Sequence, residues 1–410
     1  MGMAAQHTQM RPQSSGAGFL ANLQKVLREN IREYGMYIAL AVIVIYFGLA
    51  TDGNVFLSPR NISNLLNQTG YIAVLAVGMT LVIVIRHIDL SVGFLAGFLG
   101  AVGAIAMTYW GFSAFITIPL VLILGALAGL LTSLPVAKMG VPAFVASLAG
   151  WLIYRGALQW ITEGTGTIII SDSMYNALGN GFIPDLGIEL FPGKHQVTLL
   201  LGVLTIAAFI YNEVKVRDKQ ISYNFEVLPR EIFFLKLIGI SAVVAAITWV
   251  LASYNGLSWT VVIMLAVVAI YHFITTQTVL GRQIYAVGGN PEAAALSGIN
   301  VNKITYIVFG SMGMLAALSG ILYSSRLQSA TTTAGTLFEM DAIAAAYIGG
   351  VSSAGGVGKV TGSIIGALVM TSLTSGMTLM GVGVSAQYVV RGAVLLAAVI
   401  FDVYTRSTKR

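Results

Sequence analysis

Residues 90–137 read LSVGFLAGFLGAVGAIAMTYWGFSAFITIPLVLILGALAGLLTSLPVA, forty-eight positions without one Asp, Glu, Lys or Arg. A second uncharged run covers residues 237–281, forty-five positions. As helix, at ~1.5 Å per residue, each run is about 70 Å long, roughly two crossings of a hydrocarbon core. A water-soluble core does not bury that much neutral chain without a polar face. The chain is therefore read as an all-α polytopic membrane protein.

The rest of the sequence agrees. Charged residues are 9% of the 410 and hydrophobic residues 57%, against ~25% charged in soluble domains. The 46 glycines suit helices that approach closely through small residues. Cysteine is absent, so disulfides, thiolate metal sites and cysteine nucleophiles are excluded. The histidines, His7, His87, His195 and His272, have no metal-ligand spacing, and no metal site is expected. The net charge of +6 is spread over short loops and reads as an orientation signal, not as a nucleic-acid surface.

Spans are expected near 36–50, 62–85, 90–109, 113–134, 141–160, 196–212, 236–253, 258–275, 303–323, 360–380 and 386–402, with a shorter apolar piece at 340–349. That piece is too short to cross alone and reads as a broken or re-entrant helix, so ten to twelve transmembrane segments are expected. Residues 1–35 lack the order of a cleaved signal peptide and are read as a cytoplasmic tail before a transmembrane domain at 36–405. Lys and Arg concentrate in that tail, in 213–236, in the loop before Lys303 and at 406–410; Glu163, Asp172, Asp185 and Glu189 dominate 162–195. The positive-inside rule then makes 162–195 a periplasmic loop, 213–236 a cytoplasmic insertion and 406–410 a cytoplasmic tail.

Three polar stretches interrupt the apolar pattern. Arg86-His87-Ile88-Asp89-Leu90-Ser91-Val92-Gly93 separates two spans. Asp89 can cap the helix that follows; the turn is either an interfacial cap or the break of a discontinuous helix lining a pathway, and both can hold. Glu339-Met340-Asp341 opens the short apolar piece, and residues 349–358 after it are glycine-rich. They lack the lysine and hydroxyl residue of a phosphate loop, so close packing, a hinge or a direct pathway role stay open. The stretch from Arg326 through Gln328 to Thr333 is polar and expected outside. Asp89, Ser91, Gln328 and Asp341 are the candidate substrate-pathway residues. Arg155 and Arg391 lie in apolar surroundings and either snorkel or form ion pairs. Charge rings or a filter expected of a channel are missing, as are the intramembrane carboxylate clusters of an ion-coupled carrier or an enzyme.

The loop Gly281-Arg282-Gln283-Ile284-Tyr285-Ala286-Val287-Gly288-Gly289-Asn290-Pro291-Glu292-Ala293-Ala294-Ala295-Leu296-Ser297-Gly298-Ile299-Asn300-Val301 carries the most specific signal. Asn290 caps a short helix begun by Pro291, Glu292 favours its positive end, alanines propagate it and Gly298 stops it. The product is a stubby cytoplasmic knob, suited to a partner's cleft or to a simple linker.

This loop resembles the coupling loop of bacterial ATP-binding-cassette (ABC) importer permeases, in particular the ribose/xylose/arabinose branch. Ile88 to Gly93, Val141 to Val145, Asp341 to Ala345 with Ile348-Gly349-Gly350, and Gly355 to Gly358 match further blocks of that branch in order. The xylose and multiple-monosaccharide types are the most similar. The resemblance implies the importer-permease fold and a transport subunit, not an enzyme, in the bacterial inner membrane. It further implies a second permease subunit in a homodimer, a cytoplasmic ABC ATPase that holds ATP and Mg, and a periplasmic monosaccharide-binding protein. The chain itself would bind no cofactor and contact membrane lipids, with D-xylose first among the sugars. Arg282, Asn290, Glu292, Ala293 and Gly298 would couple it to the ATPase. The other reading of the same loop is a non-transport membrane scaffold that recruits a cytoplasmic partner through 281–301.

Overall fold

The computed structural model describes residues 31–187, 191–225 and 227–407. Residues 1–30 of the expected N-terminal tail, 408–410 of the C-terminal one and Glu189 of the acidic loop lie outside them.

The apolar runs become helices where the sequence supplies starts and stops. In order these are α1 (Ile31–Ala50), a 3-10 turn (Asp52–Leu57), α2 (Pro59–Val84), α3 (Val92–Thr108), α4 (Ala114–Met139), α5 (Ala143–Thr162), β1 (Thr167–Ile169), α6 (Ser173–Asn180), α7 (Gln196–Ser222) and α8 (Arg230–Ala252). There follow α9 (Trp259–Gln277), α10 (Val279–Gly289), α11 (Pro291–Leu296), α12 (Val301–Leu327), β2 (Ser329–Thr331), α13 (Phe338–Ile348), α14 (Val360–Leu379) and α15 (Val384–Ser407). Ser58 caps α2, accepting from the Asn61 amide at 3.3 Å, and Pro59 occupies the first turn, where its missing N–H costs nothing.

Helices α2 and α12 form the centre. The most apolar window of α2 is 89% buried, whereas that of α15 is 6% buried. Small residues bring the central helices together. A Cβ on Gly125 of α4 would collide with the Gly313 carbonyl of α12, and one on Gly313 with the Gly125 carbonyl. Only glycine permits backbones that close. The outer helices α7, α8 and α15 expose large apolar side chains such as Leu204, Ile238 and Leu396. This is the surface hydrocarbon chains would cover, and it accounts for the hydrophobic excess in composition.

Eight helices among the described residues are long and apolar enough to cross a membrane, and Gly35–Ala50 and Val92–Thr108 are shorter apolar ones. The expected ten to twelve crossings exceed that number for physical reasons. Helix α3 has seventeen residues, about 25 Å against a core of about 30 Å. Helix α13 has eleven, and α5 is diluted by Ser147, Arg155 and Gln159. Two other differences concern loops. Residues 213–236 are mostly helix: α7 runs on to Ser222 and α8 starts at Arg230, with Lys236 Nζ 2.8 Å from Glu213 Oε2 across the hairpin. The loop at 162–195 contains β1 and α6, so the chain is not wholly helical. Strand β1 pairs antiparallel with β2, Ile168 opposite Ala330.

That pairing gathers one pole of the molecule, where Phe182 also bridges to Ser258. The opposite pole gathers the ends of α2 and α10 with the glycine-rich stretch. There the Gly356 amide donates to the Val84 carbonyl at 2.8 Å and the Tyr285 hydroxyl to the Gly358 carbonyl at 2.6 Å. Acidic loop and knob thus sit at opposite ends, as the charge pattern requires.

Candidate functional site: an interrupted interior, a cavity and a knob

Helix α2 ends at Val84 because the chain turns: Arg86 adopts a positive φ of 66°. Its guanidinium donates to the carbonyl oxygens of Gly288, at 2.6 Å, and Gly289, which ties the turn to the end of α10. The Asp89 side chain, 2% exposed, accepts from the Ser91 amide at 2.9 Å and the Ser91 hydroxyl at 2.6 Å. It thereby satisfies one of the amides that a helix start leaves unpaired. Ser147 of α5 donates to the Ile88 carbonyl at 3.3 Å. The break is therefore fixed by polar contacts.

Helix α3 starts against the start of α13. A Cβ on Gly93 would run into the Glu339 carboxylate and the Gly335 carbonyl. Trp151 Nε1 donates to Glu339 Oε1 at 3.0 Å, and Glu339 Oε2 is buried without a partner. Glu339 and Asp341 both lie in the first turn of α13, where the helix dipole favours negative charge. Two helix beginnings thus meet inside the bundle.

Beside this junction lies a cavity of about 310 Å³ between α2, α12, α13, α14 and α15. Its rings are Tyr71, Tyr323 and Phe338. Tyr71 and Phe338 stack with centroids 5.2 Å apart, and Tyr323 meets Phe338 edge-on at 4.9 Å. Its polar side includes Asp341 and Arg391, paired through Nη1 and Oδ2 at 3.3 Å, together with Gln68, Thr374 and Gln387. Tyr323 lies near the end of α12 at the β1–β2 pole, and Gln387 and Arg391 lie in the first turns of α15. The cavity therefore occupies the half of the molecule expected to face outward.

Of the four pathway candidates, Asp341 lines this cavity. Asp89 and Ser91 build the turn before α3. Gln328 sits at the left-handed end of α12, φ 52°, and its carbonyl accepts from Ile170 at the β1–β2 pole. Arg391, left between snorkelling and pairing, forms the ion pair with Asp341. Arg155 lies over the Trp151 ring, 5.3 Å from its centroid. The sequence reading missed Tyr71, Tyr323, Phe338 and Gln387. Gln68 and Tyr71, one turn apart on α2, were the available signal, but nothing in the sequence says which face of a fully buried helix meets a cavity.

At the other pole, Asn290 Oδ1 accepts from the Glu292 and Ala293 amides, each at 3.1 Å, and Pro291 begins α11. Gly298 has φ 83°, a conformation that side chains disfavour. Ala294 faces inward, Glu292 and Ala293 face outward, and Leu296 is 91% exposed. Arg282 lines a separate cavity with His272, Tyr285 and Lys359. The expected capped knob is present with an outward apolar tip. Among the described residues no cluster of three His, Asp or Glu side chains has metal-binding geometry.

A polytopic bundle with interrupted helices, a polar interior and a projecting knob has the architecture of a membrane transport permease. The family described as "Branched-chain amino acid transport system / permease component" matches residues 61–399, and the chain belongs to it. The chain is 40% identical over 378 residues to the xylose transport system permease protein XylH of Haemophilus influenzae, covering 92% of this chain and 98% of that one. It is 38% identical to XylH of Escherichia coli K12 over 395 residues, 96% of each. Identity to the ribose import permease protein RbsC of E. coli K12 is 35% over 363 residues, 88% of this chain and 92% of that one. No solved structure matches. The resemblance to the xylose/ribose branch of importer permeases therefore holds, and the chain is a multi-pass, non-catalytic transport subunit of the bacterial inner membrane.

Proposed function

We propose that this chain is the membrane-spanning subunit of an ABC importer that carries a monosaccharide, D-xylose in the first place, into the cytoplasm. The observation that carries the reading is the cavity beside the helix junction. Ligand pockets run from ~300 to ~1,000 Å³, and this one is at the small end. Its aromatic rings suit the C–H face of a sugar ring, and its amide, hydroxyl and paired ionic groups suit hydroxyls. A neutral polyol needs such hydrogen bonds and no counter-ion. The names of the relatives, two xylose permeases and a ribose permease, favour a pentose.

In this reading two copies of the chain form the pathway. A cytoplasmic ATPase with ATP and Mg drives it, and a periplasmic sugar-binding protein loads it. Asp89 and Ser91 shape the interior break, Asp341 faces the solute and Gln328 lies at the outer entrance. Arg282, Asn290, Glu292, Ala293 and Gly298 shape the knob that the ATPase moves. Reconstitution of the three components with labelled D-xylose, D-ribose and L-leucine in separate vesicles tests it. ATP-dependent uptake of a pentose is expected; uptake of leucine alone, or of none, overturns it.

A further inference from the structure

The Asp341–Arg391 contact is an incomplete ion pair. A guanidinium offers five donors and a carboxylate about four acceptor sites, and such pairs usually close with two parallel bonds at about 2.7–2.9 Å. Here one Nη1–Oδ2 contact stands at 3.3 Å, while Asp341 Oδ1 and Arg391 Nε are buried with no partner. Asp341 is 8% exposed. Buried polar atoms of this kind are costly, and a native structure rarely leaves them idle. Both residues line the same cavity as Tyr71 and Phe338, whose rings stack on each other.

The pair also joins α13 to the outermost helix, α15. Helix α15 is the least buried of the apolar helices and packs chiefly on α13. At its far end Asp402 Oδ2 accepts from the Ser353 amide and hydroxyl, each at 3.1 Å. Asp341–Arg391 is the corresponding polar tie at the cavity end. A weak tie, with idle atoms on each partner and a ring platform in the same cavity, is placed to respond to a small polyhydroxylated solute.

We infer that Asp341 and Arg391 are the sugar-recognition point of the permease: a pyranose lies on Tyr71 and Phe338, and two neighbouring hydroxyls insert at the ion pair. One hydroxyl donates to Asp341 and the next accepts from Arg391, so the idle atoms are satisfied as the pair opens. The solute replaces the direct α13–α15 tie with one through itself. This rests on the importer reading and names the residues that reading leaves open. The recognised feature is a vicinal diol on a neutral ring, so removal of one of the two hydroxyls weakens binding while the ring contact persists.

The absence of cysteine makes the test direct. Thr374→Cys places one thiol in the cavity wall and Thr165→Cys one in the outer loop, each in the full chain reconstituted with its ATPase and, where import is measured, with the sugar-binding protein as well. The rate of maleimide labelling is measured with D-xylose, a deoxy-xylose and L-leucine. At ten times its Kd a solute leaves about a tenth of the sites free, so D-xylose slows Thr374→Cys labelling roughly tenfold and leaves Thr165→Cys unchanged. The deoxy sugar protects less. In Asp341→Asn the preference for D-xylose over the deoxy sugar disappears, while a detergent melting temperature near wild type reports an intact fold. If that variant does not fold, the wild-type ranking of solutes still decides. Pentose import without protection at Thr374→Cys overturns the site and leaves the importer reading standing. Protection without import upholds the site and removes that reading. Protection by leucine instead of sugar overturns the site.

Discussion

Gly313 shows how little room the centre of the bundle leaves. Its α-carbon faces Gly125 and Gly129 of α4, and any Cβ would overlap the Gly125 carbonyl. In a bilayer, where lipid tails are as apolar as side chains, such contact is what holds helices together. Gly313→Leu is therefore expected to force α4 and α12 apart and lower the detergent melting temperature, at a cost of about 1–3 kcal/mol as overpacking usually brings. Leu396→Ala, on the exposed face of α15, serves as the control and should melt near wild type. An equal melting temperature for Gly313→Leu would contradict the close approach. Compositional reading suggested packing through small residues, but not which of the 46 glycines meet.

At the scale of elements, the outer end of α7 is held by a residue eleven positions before its first. Asp185 accepts from the Gln196 amide at 3.1 Å, the Val197 amide at 3.0 Å and the Leu186 amide at 2.9 Å. Desolvation by the surrounding loop pulls its carboxyl up, but these donors outweigh that and hold it below its ordinary value, with His195 adding a smaller pull. A depressed pKa means stability that is fully present above the unfolded value and is lost as pH falls through the folded one. Wild type should therefore lose melting temperature as pH falls through and below the ordinary carboxylate value, and Asp185→Asn should lose less over that interval. Equal acid sensitivity of the two would remove this role. A helix that begins with a local cap, such as α11 after Asn290, was legible in sequence. Asp185 was read only as a loop charge, because its partners are fixed by the folding of the loop. The short helices α3 and α13 were legible in part: the charges before them marked the breaks, but the meeting of their starts depends on tertiary packing.

At the scale of the whole molecule, the cavity and the knob lie in opposite halves, with α12 running between the knob at its start and Tyr323 near its end. A rigid helix of twenty-seven residues is about 40 Å long, enough to link the two. Glu292 and Gly298 belong to the knob and touch no part of the cavity, so Glu292→Ala and Gly298→Val should retain membrane insertion and sugar protection at the cavity while losing sugar import driven by ATP. Unimpaired import by both would remove the coupling role. The lipid-facing character and the two poles were readable from uncharged runs and the placement of Lys and Arg. The cavity was not, because it forms where α2 meets α12 to α15, far from it in sequence, and only Asp341 and Arg391 announced themselves as charges among apolar neighbours.

The central claim is that a pentose crosses the membrane through this chain under power supplied by a partner. Uptake of labelled D-xylose by proteoliposomes containing the permease, its ATPase and the sugar-loaded binding protein, with and without ATP on the ATPase side, measures it most directly. ATP-dependent accumulation is expected, suppressed by unlabelled D-xylose and not by leucine. Accumulation of leucine in place of the pentose, or no ATP-dependent uptake by a complex that hydrolyses ATP, would contradict it.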